Sequence, residues 1–84
     1  MSAPIIEAKT VCSGVSTLTV NDVVIGIIER SLDASTGIPA GRWFAYTSSS
    51  RNATAPAQAD RAACAFATGR TRAECLAKIK AALA

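Results

Sequence analysis

Apolar and β-branched residues crowd into two stretches, Val15–Val20 and Val23–Arg30, on either side of Asn21-Asp22. Asparagine and aspartate tolerate positive φ, so this pair suits a two-residue turn joining antiparallel strands. With Val20 opposite Val23, period-two alternation gathers Leu18, Val20, Val23, Ile25 and Ile27 on one face. Val15, Thr17, Thr19, Val24, Gly26 and Ile28 fall on the other. The first face is the expected core. The second is only half polar, because Val24 and Ile28 stand on it. A helix over 22–32 capped by Asn21 is the competing reading, and Gly26 with the β-branched run weighs against it.

Three further elements follow from the same pattern. Trp43 to Thr47 reads as a strand with Trp43 and Ala45 on one side and Phe44 and Tyr46 on the other, so each side carries a ring. Ile5 to Val11 alternates loosely and suits an edge strand or an ordered arm. Near the C-terminus, Thr71 and Glu74 have capping-box spacing, and Leu76, Ile79 and Leu83 follow on one helical face beside Ala73. Glu74 and Lys78 stand in the favourable i,i+4 order on the exposed side.

The connections are polar. Asp33–Gly41 and Ser48–Thr54 are loops by composition. After Thr54 the chain turns rich in alanine. Thr54 or Ala55 is a cap candidate with Pro56 in the first turn, and Ala59, Ala62, Ala63 and Phe66 then share a stripe. Cys64 to Thr68 reads equally as a short strand, so residues 55–67 stay open between helix and strand. The whole chain, 1–84, predicts a single α+β domain. Its antiparallel sheet has three or four strands, covered on one face by one or two C-terminal helices.

Composition narrows the chemistry. Half of the 84 residues are hydrophobic, yet no apolar run approaches the ~18 residues of a membrane span. The N-terminus lacks a basic region followed by an apolar stretch, so a cytoplasmic location is expected. There is no histidine, and Cys12, Cys64 and Cys75 sit in no metal-ligand spacing. Ser-His and Cys-His nucleophile pairs are thereby excluded, the carboxylates are scattered, and the glycines form no phosphate loop. A protein without enzymatic activity, metal or cofactor is expected.

Charge divides the chain. Residues 1–41 carry two basic against four acidic side chains, and residues 42–84 carry seven against two. A basic half suits nucleic acid or an acidic partner, and equally a solvated surface. Arg42, Arg51, Arg70 and Arg72 are the candidates for nucleic-acid contact, with the aromatic strand as a stacking platform. A helix-turn-helix centred on Gly69 fails, because Thr68, Arg70 and Lys78 fall where the two helices need apolar contacts.

The second half resembles the HicB-like antitoxin domain of bacterial toxin–antitoxin pairs. The matching stretches are Ile27-Ile28-Glu29, Gly41-Arg42-Trp43-Phe44-Ala45-Tyr46, and Thr68 to Leu76 with Ile79 and Ala82-Leu83. The chain departs from that pattern where Ser48–Ala63 replaces a proline-glycine segment. The resemblance implies a binding module that neutralises a partner protein, a role shared by phage-borne inhibitors such as anti-CRISPR-like proteins. The partner-binding residues expected on the open sheet face are Val24, Ile28, Trp43 and Tyr46, and an apolar patch there also suits a homodimer.

Overall fold

The computed structural model describes residues 3–83. Five strands, β1 (Ile6–Cys12), β2 (Val15–Val20), β3 (Val23–Arg30), β4 (Trp43–Thr47) and β5 (Ala67–Gly69), form one antiparallel sheet. Its spatial order is the order of the chain. Helix α1 (Gln58–Ala62) lies in the long β4–β5 connection, and α2 (Arg72–Leu83) follows β5. The α+β class is as expected, but the sheet is larger: Ile6–Cys12 is a full edge strand, and residues 55–67 contain a helix and lead into a strand.

The β2–β3 turn forms at Asn21-Asp22, with φ of 51° and 66° and Val20 opposite Val23. Positive φ at both positions gives the tight turn whose twist matches that of the strands. A β-bulge follows. Thr19 pairs with Val24 but Leu18 pairs with Gly26, so Ile25 is an extra residue. From there the alternation of β3 is reversed relative to an unbroken ladder. Gly26 makes the close approach possible, because a Cβ there would meet the Tyr46 carbonyl oxygen in backbone contact.

This bulge corrects the face assignment. Ile28, expected on the open side, is fully buried in the core beneath α2 with Ile6, Leu18, Ala45, Cys75 and Ile79. Ile27, expected in that core, lies on the other face and packs beside Phe44 and Tyr46. Val23 is 63% exposed. Each wholly buried Leu or Ile contributes about 2 kcal/mol of hydrophobic stabilisation.

Both faces are covered, not one. α2 packs on the Trp43/Ala45 side, and Arg72 in its first turn donates to Thr10 Oγ1 (2.7 Å) and Ser16 Oγ (3.1 Å). Ala62 of α1 packs on the Phe44/Tyr46 side, forming a second small core with Ile38, Ala53 and Cys64 around it. The predicted alanine stripe is only partly used: Ala62 is buried, while Ala63 and Phe66 are exposed after the helix ends. Thr71 caps α2 by accepting the Glu74 amide at 3.1 Å. The Glu74 carboxylate turns outward to Arg70 (3.7 Å) and Lys78 (3.8 Å).

Candidate interaction surfaces

A closely bonded polar cluster surrounds Glu29, which stands on the α1 face of β3 opposite Phe44 and is only 4% exposed. Arg61 of α1 donates to it through Nε (2.8 Å to Oε2) and Nη2 (3.0 Å to Oε1). The Tyr46 hydroxyl donates to Oε2 at 2.5 Å, and Gln58 approaches Oε1 at 3.4 Å. The remaining groups are also spoken for. Arg61 Nη1 donates to the carbonyls of Ala55 (2.6 Å) and Pro56 (3.0 Å), and Gln58 bridges the Arg30 carbonyl (2.8 Å) and the Leu32 amide (2.9 Å).

Burial opposes a charge on Glu29, but the fork from Arg61 and the Tyr46 and Gln58 contacts outweigh it and hold the carboxyl below its ordinary range. Burial and the neighbouring carboxylate push the Tyr46 phenol well above its usual value, and Arg61 is held even more firmly protonated by its bond to Glu29. None of the three exchanges protons near neutral pH. The cluster is a clamp that fixes α1 and the 55–57 segment to the sheet, and an open groove of about 490 Å³ runs beside it between Val15, Ile27, Thr54 and Pro56.

Tyr46, expected as a partner contact, is therefore corrected along with Ile28. It is 2% exposed, its ring stacked on Phe44 at 6.0 Å and its hydroxyl spent on Glu29. Trp43 is half-buried and lies on the α2 face, away from Tyr46. Val24 is the one member of that set on the surface, at 52% exposure. It shares the hairpin tip with Val23, and the two point to opposite faces. Beside the tip, hydrogen bonds between Ile5 and Asn21 hold the segment before β1, and an apolar groove of about 550 Å³ lies between Pro4, Ile5, Ile6 and Lys80.

The basic candidates divide as well. Register aligns Arg30, Trp43 and Gly69 in one row across the sheet, so Arg42 and Arg70, chain neighbours of Trp43 and Gly69, lie at the same end of the sheet as Arg30, with Arg70 paired to Glu74 at 3.7 Å. The Arg30 guanidinium lies over the Trp43 ring, 6.0 Å from its centroid. Arg51 falls beyond the opposite end of β4, and Arg72 is committed to Thr10 and Ser16.

Sequence reasoning passed over Val23, Arg30, and the Glu29–Arg61–Gln58 clamp. One signal was available for the clamp: Glu29 is the first charged residue of an otherwise apolar strand run. No family model, curated protein or solved structure matches the chain. Among the described residues, no helix is long and apolar enough to cross a membrane.

Proposed function

We propose that this chain is a small non-enzymatic binding module that neutralises or inhibits a partner protein, as an antitoxin or a phage-borne inhibitor does. The observation that carries the reading is the hairpin tip. Val23 and Val24 are 63% and 52% exposed on a turn locked by its backbone geometry, where a monomer gains nothing from two bare valines. A rigid apolar projection loses little entropy on docking into a partner's pocket. The test is capture of host proteins by the tagged chain at ~0.1 M and ~1 M salt, far apart in Debye screening. A partner retained at high salt and lost with Val23→Asp or Val24→Asp supports the reading. A partner held equally by both variants, or none captured at all, removes it.

The placement of Arg30 over Trp43, with Arg42 and Arg70 at the same end of the sheet, favours a second reading, contact with single-stranded nucleic acid by stacking and phosphate neutralisation. Fluorescence anisotropy with a labelled oligonucleotide decides it. Binding that weakens steeply with salt and is lost with Arg42→Ala supports this reading, and no binding at low salt rejects it.

A further inference from the structure

We propose that two copies of this chain join edge to edge through β1, antiparallel, about a two-fold axis at Ala8. β1 is the terminal strand of the sheet, paired with β2 alone. Ile5 turns both its amide and its carbonyl towards Asn21. Antiparallel ladders alternate, so Glu7 and Lys9 also turn inward to β2, leaving the amides and carbonyls of Ile6, Ala8 and Thr10 directed away from the sheet. No proline interrupts Ile6–Cys12, and the bulge between Thr10 and Cys12 lies at its far end. Of the devices that blunt an edge, its middle has neither proline nor bulge, only the oppositely charged Glu7 and Lys9, and Lys9 reaches the exposed Asp22 of its own chain at 3.3 Å.

The sequence of this edge is complementary to itself. Reversed about Ala8, Glu7 falls opposite the partner's Lys9, and Lys9 opposite the partner's Glu7. Ile6 falls opposite the partner's Thr10, and Ile5 opposite the partner's Val11. Ala8 and Ile6/Thr10 are the hydrogen-bonded pairs of this register and supply about six main-chain bonds. Glu7/Lys9 is a non-hydrogen-bonded pair, where side chains approach most closely, so opposite charges have their greatest effect there. Ile5 and Val11, 62% and 63% exposed in the single chain, lie at the two ends of this pairing, Val11 at the bulge. A shift of one pairing position in either direction removes the match of Glu7 with Lys9, which fixes the register as well as the partner. This pairing is independent of the protein-binding reading, since Val23 and Val24 lie on β3, two strands in from the joined edge.

Sedimentation equilibrium of the full chain over ~10–500 μM tests it, a range that brackets modest association constants. A species of twice the 8.6 kDa protomer mass is expected. Ala8→Pro removes an outward amide that takes no part in the β1–β2 ladder, so it should leave the circular dichroism spectrum unchanged and give a monomer. Glu7→Lys and Lys9→Glu should each weaken association about tenfold, because two attractive pairs become repulsive. The double exchange Glu7→Lys/Lys9→Glu should restore it to within about threefold of the original. A monomer throughout the range overturns the proposal. So does a dimer indifferent to Ala8→Pro, or a double exchange no stronger than the single variants.

Discussion

Arg61 forks onto Glu29 across 32 positions of sequence, joining a five-residue helix to the middle of the sheet at 2.8 and 3.0 Å. A helix this short has almost no stability of its own. It lacks a side-chain cap as well, since Ala57 precedes it. What holds it are Ala62 in the second core, the bonds of Gln58 to the Arg30 carbonyl and Leu32 amide, and this ion pair, in which Tyr46 and Gln58 also reach the carboxylate.

Glu29→Gln should therefore destabilise the protein by about 2–4 kcal/mol, because the Arg61 charge is left half-buried without its counter-ion. The pH dependence has a definite sign. Glu29 has a folded value below its unfolded one, so the folded chain binds fewer protons and the stabilisation is complete above the ordinary glutamate value of about 4.3. It is lost as pH falls through the lower, folded value. Urea denaturation between about pH 6 and pH 3 should show this acid loss in the native chain and a flatter profile in Glu29→Gln.

Gly26→Ala should cost about 2 kcal/mol or more, since the new methyl would meet the Tyr46 carbonyl and Thr47 Cα from within the ladder, where only backbone can move. The change acts at the bulge, so its effect is not confined to stability. If the chain relieves the clash by closing the bulge, β3 slips one position and Ile27 exchanges faces with Ile28. Amide hydrogen exchange should report lost protection along β3 and β4 together, ahead of α2.

The same bulge marks where the fold was legible in the sequence and where it was not. The turn at Asn21-Asp22, the Val20–Val23 pairing and the span Trp43–Thr47 follow from local propensity, and they form as read. The partition of Ile27 and Ile28 depends on a single inserted residue, and alternation carries the error down the rest of the strand. An isolated glycine inside a strand is the sequence mark of such an insertion, so Gly26 held the missing information. Tyr46 was misplaced for a different reason. Its burial depends on α1 and on Arg61; the charge of Glu29 at the end of an apolar run marks one half of the clamp, but no local pattern points to its partner 32 positions away. The sheet's second cover was hidden likewise, because alanines contribute too little periodic signal to show which side of the sheet α1 takes.

Thr71→Ala should destabilise the chain by about 1 kcal/mol, the usual effect of losing an N-terminal cap. Thr71→Ser retains the hydroxyl and should recover most of it. Replacing Glu74 by Gln should matter less, because its carboxylate does not close the capping box and makes only exposed pairs with Arg70 and Lys78. Thermal denaturation of the three variants checks this order. A larger loss in Glu74→Gln than in Thr71→Ala would contradict the capping geometry.

The three thiols should separate cleanly by reactivity. Cys12 is exposed at the end of β1, Cys64 is half-buried, and Cys75 is wholly buried under the sheet. Burial pushes the Cys75 thiol up to about 11, with Lys78 offsetting a small part of this. At pH 8 it therefore has scarcely any thiolate, and α2 also blocks access to it. Ellman's reagent should label Cys12 first and Cys64 more slowly, with Cys75 reacting only once denaturant opens the core. Gly69 sharpens the test, since a Cβ there would lie 2.5 Å from the Cys75 amide nitrogen. Gly69→Ala must push the start of α2 off β5, and Cys75 should then react under native conditions while Cys12 labels at its original rate. Labelling of Cys75 as fast as Cys12 in the native chain would show that α2 is not closed over the sheet.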